Sequence, residues 1–553
     1  MKESKNFIEN IIDEDLAMGL DQSLLKFRFP PEPNGFLHIG HVKAICINFG
    51  LAKKYNAPVV LRFDDTNPEK EEQQYINAIK KDVSWLGFKW DEERFASDYF
   101  EQLFYWALEL IKNGKAYVDS QSSSEIAEQK GTPTSPGTNS PFRDRSVDEN
   151  TKLFNEMKNG VYDEGKHVLR AKISMNANNM LLRDPAIYRV IKKAHPRTGT
   201  NWVVYPMYDW AHGESDYIEQ ISHSLCTLEF KPHRELYNWF LKQIAEPNVL
   251  KPKQREFARL NLSHTITSKR KLMSLVSSGS VSGWDDPRMP TISGLRRRGY
   301  PPEALQEFVK LAGVAKRENI IEASLLEFCA REELNKTSNR VMVVLAPLKL
   351  TITNYPSDTD EIVLSENNPE NPSSGDREMP FGKELYIEKE DFKTEANRKF
   401  FRLTIGKEVR LKSAYIIKAN EAVYDDQGNI IEVLCTYDKK SKSGSGSEES
   451  QRKVKGTLHW VSKKGSIDIK VNEYDRLFEH PDPASSENKE ELLKMINPNS
   501  SKTSIAKAEP SLSKAQNGER FQFQRKGYFI VDNNETPLII FNKTVGLRDN
   551  WKK

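Results

Sequence analysis

The sequence predicts a multidomain α/β chain that ends in an all-β half, and three observations carry the prediction. Strand-like and helix-like patterns alternate over residues 24–120. A turn-rich stretch then changes the texture up to about residue 210, before helices return over 215–335. After about residue 340 short alternating apolar runs take over, as barrels or sandwiches require. A chain of 553 residues has room for several domains with sizeable cores.

Taken in order, "LLKFRF" reads as a buried strand, and Val42, Ile45, Cys46 and Phe49 then recur at helical spacing. "APVVLRF" is a β-rich run of parallel-sheet character. Strand, turn, helix and strand within some forty residues make a βαβ unit, which implies a parallel sheet with a right-handed crossover. A further helix is expected to begin near Pro68, and "SWLGFKW" and "FEQLFYWALELIKNGKAYV" continue the mixed pattern. "GTPTSPGTNSPFRDRS" is turn-rich, and "LRAKISM" and "MLLRDPAIYRV" look like strands, so this part reads as an inserted subdomain. The later strands are "RVMVVLAPLKLTITNY", "KEVRLKSAYIIKA", "NIIEVLCTYD", "VKGTLHWVS" and "GYFIVD". Three loops interrupt them: "SDTDEIVLSENNPENPSSGDRE", "KKSKSGSGSEESQ" and "PNSSKTSIAKAEPSLSKAQNGE". They are too polar to bury a core and are expected to be mobile.

The net charge of +3 says little, but residues 251–300 hold eleven Lys and Arg against three Asp and Glu. A basic stretch in a near-neutral chain suggests a polyanion-facing surface. Cys46, Cys226, Cys329 and Cys435 are far apart and form no C-x-x-C pair, which argues against a zinc ribbon and a disulfide framework and fits a reducing cytosol. No apolar run reaches membrane-spanning length, and "MKESKNFIENIIDEDL" is too polar for a signal peptide. A soluble cytoplasmic protein without membrane contact is expected.

Three stretches carry chemistry. In "PPEPNGFLHIGHVKAI" two prolines and a glycine turn the chain after a strand, and His38 and His41 sit at the amino end of the next helix. Unpaired N–H groups and the positive dipole end favour a phosphate there, and imidazoles can donate to its oxygens. A metal site would need a third ligand that no Cys or Glu offers at a telling spacing, and a plain turn remains open. "RFDDTNP" places Asp64 and Asp65 at the carboxyl end of a strand, where open α/β sheets bind ligands. An exposed carboxylate there can pair with an ammonium or hold Mg²⁺, although Asp65 or Thr66 can instead cap the following helix. "TITSKRK" can bring an ammonium to phosphates from a mobile loop.

Together, "HIGH" at 38–41 and "SKR" at 268–270 resemble the two nucleotide-binding signatures of class I aminoacyl-tRNA synthetases. "RFPPEPNGFLHIGH", "RFDDTNP", "YPMYDWAHGESD", "HSLCTLEF" and "GWDDPRMPTISGLRRRGY" narrow the resemblance to the glutaminyl branch of the glutamyl/glutaminyl subfamily. It runs from about residue 27 to the end, through "FQFQRKGYF" and "FNKTVGLRD".

The resemblance implies a Rossmann-type catalytic domain with an inserted acceptor-binding subdomain, a helical connecting region and C-terminal anticodon-binding β-barrels. The implied boundaries are 1–115 and 211–265 for the two catalytic halves, 116–210 for the insertion, 266–338 for the signature loop and helical connection, and 339–553 for two barrels. It implies ATP-dependent joining of L-glutamine to tRNA(Gln), through an adenylate and then transfer to the 2′-hydroxyl of the terminal adenosine. ATP would contact Glu32, Pro33, Asn34, His38, Ile39, Gly40, His41, Val42, Lys43 and Ala44. Thr227, Arg259, Leu260, Thr267, Ser268 and Lys269 would complete its site. His38, His41 and Lys269 are the implied catalytic groups. Asp64 matches the residue for the substrate ammonium, and Tyr208, Arg28 and Gln254 match positions around the side-chain amide. Arg340, Arg402, Arg410, Gln522 and Arg525 are anticodon candidates. Mg²⁺ would arrive with ATP, no tightly held protein metal is expected, and the chain is expected to be a monomer.

Two departures stand out. Thr267 replaces the methionine usual before Ser-Lys, and Pro232 replaces an acidic residue used on the acceptor stem by bacterial members. Lys231 or His233 would then serve the stem. The alternatives are a glutamyl-tRNA synthetase and a non-catalytic tRNA-binding paralogue; "CTLEF", "YPMYDW" and the intact signatures weigh against them.

Overall fold

The computed structural model describes residues 5–357, 359–534 and 537–548. The first four residues of the polar N-terminus, Asp358 of the first polar loop and Asp549 of "FNKTVGLRD" therefore lie outside the described residues. The chain divides into one unit of Met1–Asn261 with Val309–Ile321 and another of Leu262–Phe308 with Glu322–Lys553.

The first unit begins with α1 (Phe7–Ala17), whose start is closed by a capping box between Asn6 and Glu9. Then come β1 (Phe27–Phe29), α2 (Ile39–Tyr55), β2 (Val59–Phe63), α3 (Gln73–Trp85) and β3 (Glu92–Phe95). The three strands are parallel in the order β1-β2-β3, with Phe27 opposite Val59 and Val60 opposite Glu92. β1 and β2 are buried at every position, which is why their sequence is a near-continuous apolar run. The helix expected near Pro68 starts only at Gln73. Backbone bonds from Asp64 to Pro31 and from Glu72 to Pro33 hold the intervening chain against the first turn, and residues 68–70 make a turn closed by the Lys70 N–H on the Asn67 carbonyl.

α4 (Phe100–Lys112) leads into β4 (Ala116–Asp119), α5 (Ser123–Gln129), α6 (Val147–Lys158), β5 (Val168–Ala171), β6 (Ala186–Val190) and β7 (Val204–Pro206). These four strands form an antiparallel sheet in sequence order. Phe104 stacks on Phe154 at 4.4 Å in the core beside it. The chain returns to parallel structure through α7 (Tyr208–Ile218), β8 (His223–Thr227), α8 (Arg234–Ile244) and β9 (Lys253–Phe257). Ser222 ties β8 beside β1, exchanging bonds of 3.0 Å with the Lys26 backbone. The carboxyl ends of β1, β2, β8 and β9 thus open on one side, where a ligand site is expected.

In the second unit, helix Lys269–Ser277 is followed by Ile292–Arg298 and Ala323–Thr337. Two seven-stranded, barrel-like sheets follow, each with its own core. All three loops expected to be mobile are ordered in part: the middle one forms short helices at Lys439–Ser441 and Glu448–Gln451. Residues 361–366 and 376–381 pair as an antiparallel hairpin that buries Val363, Met379 and Phe381. Ser501–Ala508 is a full strand between two neighbours, because small Ala506 and Ala508 alternate into the core. Composition misleads here, since alanine at every second position needs little apolar bulk to seat a strand.

Within the basic run 251–300, Arg288, Arg297 and Arg298 are engaged by partners of their own unit. Arg288 binds Asp286, Arg297 binds Asp532, and Arg298 donates to the backbone oxygens of Tyr474 and Thr544.

Candidate active site

The turn after β1 places His38 as the N-cap of α2 in extended backbone. Nδ1 of His38 accepts the Gly40 N–H, and Nδ1 of His41 accepts the His38 N–H, each at 3.1 Å. The two imidazoles thus make a reciprocal capping box, with ring centroids 4.0 Å apart. Two of the backbone donors expected to face a phosphate are therefore already engaged. Burial, with His41 close by, holds His38 well below the usual imidazole range, and burial brings His41 to about 4. With Nδ1 accepting, the proton of each neutral ring sits on Nε2, which becomes the outward donor.

Around this cap, Pro33 is buried and Asn34 donates to the Glu32 carboxylate. Ile39 and Val42 turn their side chains into the core, so they offer a ligand only backbone, while Ala44 is half-buried. Lys43 is buried too, and burial lowers its ammonium pKa against the pull of Glu318. Glu318 also pairs with exposed Arg259 at 3.5 Å and accepts from Asn261, so its charge acts on both Lys43 and Arg259. Leu260 is buried, and Thr227 at the end of β8 donates to Glu229.

Thr267, Ser268 and Lys269 belong to the second unit. The segment is not a loop: Ser268 is the N-cap and Lys269 the first residue of a helix, because Leu272 and Leu275 bury against Ile266, Leu477 and Leu492. Ser268 and Lys269 are exposed.

Asp64 is buried rather than exposed as expected, and neither carboxylate oxygen has a hydrogen-bond partner. Burial pushes its carboxyl up to about 8, with Arg62 pulling down and Glu32, Asp65 and Glu71 pushing further. Asp65 does not cap a helix. Its oxygens accept from Ser97, at 2.8 Å from the N–H and 2.6 Å from the hydroxyl. Burial raises Asp65 to about 7.

Beneath Asp64 lies a buried ionic floor. Arg28 donates to Asp216 at 3.0 Å, to Ser224 at 2.7 Å and to the Leu225 carbonyl at 2.8 Å. Arg62 pairs with Asp216 at 2.8 Å and Glu219 at 3.0 Å. Against the cost of burial, Arg28 and Arg62 hold Asp216 far below the carboxylate range, while burial takes His212 down to about 3. Half-buried Tyr208 stacks on His212 at 5.0 Å and packs on Phe230 at 5.4 Å, within the fields of Asp64 and Arg28. Gln254 is buried and donates to the Phe230 carbonyl and to Glu256. Arg28 and Gln254 are therefore buried and engaged, and Tyr208 is the one of the three that is partly exposed.

Sequence reading missed Arg62, His212, Asp216 and Glu219. A signal was present, since "FRF" and "VVLRF" each carry one arginine inside an otherwise apolar strand, which demands buried acids elsewhere. Among the described residues the group able to hold a metal is Asp65, Glu71 and His195. His195 accepts backbone N–H groups of Arg197 and Thr198 on Nδ1, leaving its proton on Nε2 and no lone pair there for a cation.

The anticodon candidates form three groups. Arg340 and Gln522 face each other on paired strands, with Asn335 and Tyr528 as partners. Arg402 and Arg525 share buried Asp391, Arg525 at 2.6 and 2.7 Å. Arg410 donates to the carbonyls of Ser441 and Ser450. At the departure near the acceptor stem, Lys231 and Pro232 are exposed, while His233 is paired with Asp209.

The catalytic-domain pattern of class I tRNA synthetases (E and Q) matches residues 25–336. Two anticodon-binding patterns of the same class match 338–438 and 457–532. The chain is 52% identical over 551 residues to a glutamine–tRNA ligase of Rhodopirellula baltica, covering 100% of this chain and 91% of that one. It is 51% identical over 551 residues to one from Salmonella schwarzengrund, covering 99% and 98%. A solved glutamate–tRNA ligase of Elizabethkingia meningosepticum aligns at 18% identity with a TM-score of 0.43, over 57% of this chain and 70% of that one. By its catalytic and anticodon-binding patterns, and by identity along its whole length, the chain belongs to the class I tRNA synthetases for glutamate and glutamine.

Proposed function

We propose that this protein joins L-glutamine to tRNA(Gln) at the expense of ATP, and that Asp64 receives the substrate's ammonium group. The observation that carries the second part is the buried, unpartnered Asp64 carboxylate at the end of β2. An uncompensated acceptor in that position is costly unless a cation completes it. Full-length identity to glutamine–tRNA ligases supports the first part.

In the first step a glutamine carboxylate oxygen attacks the α-phosphorus of ATP, and the bond to the bridging oxygen of pyrophosphate breaks. No side chain forms a covalent bond. The Nε2–H groups of His38 and His41 donate to phosphate oxygens as charge builds, and Lys269 is assigned the ammonium of the same step. Mg²⁺ accompanies ATP as part of the substrate. In the second step the 2′-hydroxyl of the terminal adenosine attacks the acyl carbon and releases AMP. The insertion at 116–210 holds the acceptor end, and the barrels within 339–553 read the anticodon, with Arg340, Arg402, Arg410, Gln522 and Arg525 as contacts. The chain works as a cytoplasmic monomer.

Tyr208 presents its hydroxyl to the amide end of the substrate from a pocket stiffened by Arg28 and Gln254. A polar pocket matched to an NH₂ group rejects a carboxylate strongly. Charging of tRNA(Gln) with glutamine and glutamate side by side tests the reading, with Lys269→Ala as the inactive control. Glutamine is expected to be used and glutamate not; comparable charging with glutamate would overturn it.

A further inference from the structure

The connection between β6 and β7 is tightened by His195 and Gly199, which exchange backbone hydrogen bonds of 2.9 Å. His195 is buried, with its ring edge-on to Phe100 at 5.6 Å and stacked near Tyr205 at 6.0 Å. Nδ1 accepts from the N–H groups of Arg197 at 3.1 Å and Thr198 at 3.2 Å, so the ring's proton lies on Nε2. Nε2 stands 2.8 Å from the carbonyl oxygen of Asp65 and donates to it. The same turn supplies Arg197, which donates to the Ser97 hydroxyl at 2.7 Å and lies over the Phe95 ring at 3.8 Å. Ser97 in turn holds both oxygens of Asp65. Residue 65 is therefore gripped at its backbone from one side and at its side chain from the other.

Its neighbour is the opposite case. The Asp64 carboxylate makes no hydrogen bond, so nothing but its own backbone and the packing around it aims the group. That backbone is fixed by the Asp64 N–H on the Pro31 carbonyl at 3.0 Å and, one peptide later, by the Asp65 carbonyl. We propose that His195 is a positioning residue for the amino-acid site: its Nε2–H on the Asp65 carbonyl, backed by the Arg197–Ser97 clamp, aims the Asp64 carboxylate at the substrate ammonium. The inference rests on the assignment of Asp64 above. It makes the turn at 195–199, a part of the insertion, a component of the glutamine site rather than of the tRNA surface alone.

Steady-state charging with each substrate varied in turn tests it. His195→Phe keeps a packed ring and removes the donor, and His195→Gln returns an amide N–H at similar reach. His195→Phe is expected to raise the KM for glutamine about tenfold, with kcat within about threefold and the KM for ATP unchanged. His195→Gln is expected to recover most of that loss. An unchanged glutamine KM in folded His195→Phe would overturn the inference. So would an equal loss against every substrate that His195→Gln does not restore. Should His195→Phe not fold, Ser97→Ala decides: a rise of about threefold in the glutamine KM alone supports the inference, and no rise overturns it. Asp64→Asn in the same assay separates the two claims. If it too leaves the glutamine KM unchanged, the assignment of Asp64 fails; if it raises it while His195 and Ser97 variants do not, only the positioning role fails.

Discussion

Arginines occupy opposite circumstances in the two units. Arg28 and Arg62 have 0% and 1% of their side chains exposed and converge on Asp216, beside an Asp64 that has no partner. Arg402 and Arg525 are 36% and 30% exposed and converge on Asp391 in the barrels. In the first case the cations are fixed parts of the floor, and the unsatisfied group is the buried Asp64 carboxylate, to which we assign the substrate ammonium. In the second the candidate readers of RNA are already satisfied, and a bound base or phosphate must exchange with their present partners. A small charged ligand therefore gains most at the first site, whereas the barrels gain by many modest exchanges.

Removing the shared acid of each group is the strongest way to break this comparison. Asp216→Asn leaves Arg28 buried without a carboxylate partner and Arg62 with Glu219 alone, and is expected to cost about 3–5 kcal/mol of stability, read by chemical denaturation. Asp391→Asn leaves cations that water reaches, so about 1 kcal/mol is expected there. Equal losses would mean that the exposure difference carries no energetic weight.

Asp64 sharpens the contrast because its loss should separate activity from stability. Asp64→Asn is expected to reduce kcat/KM for glutamine about a hundredfold, since a charge-assisted contact is lost. The same change should stabilise the fold. A carboxyl held near 8 in the folded chain, against 3.8 as its ordinary value, binds more protons folded than unfolded between those limits. Its contribution to stability therefore falls as pH rises from about 4 to about 8, and the variant's advantage should grow over the same window, by about 2 kcal/mol or more at the top. Binding of the ammonium needs the ionised carboxylate, so wild-type kcat/KM for glutamine should rise as pH climbs toward 8, by on the order of tenfold per unit below it. Asp64→Asn should flatten that limb.

How much of this could be read beforehand differs between the two regions in the same way. The turn, helix and strand around "HIGH" and "RFDD" follow from proline, glycine and apolar spacing, which are local causes. The burial of Asp64 and the floor under it are not local: Asp216 reaches Arg28 across 188 residues of sequence, so the pairing is invisible to any window. The capping by His38 and His41 was hidden for another reason, since histidine is not among the usual capping side chains. In the barrels the strands were legible from alternation, but the polar segments 361–381 and 501–508 were not. Their order comes from backbone pairing and from alanines too small to stand out in composition.

The smallest expected effect belongs to Arg410, and it tests whether a satisfied arginine serves RNA or only its own loop. Its guanidinium reaches the Ser441 carbonyl at 3.1 Å, the Ser443 hydroxyl at 3.2 Å and the Ser450 carbonyl at 2.7 Å. These bonds hold the serine-rich segment 439–451 against the barrel, so Arg410→Ala should loosen the backbone there and speed trypsin cleavage at Lys439, Lys440 and Lys442. If the side chain also reads the anticodon, the KM for tRNA should rise about threefold while the KM for glutamine stays fixed. Faster cleavage with an unchanged tRNA KM would assign Arg410 to the loop alone. That outcome would extend the contrast with the first unit: in the barrels, an arginine that matches a recognition motif can be wholly occupied in building the surface from which other residues read.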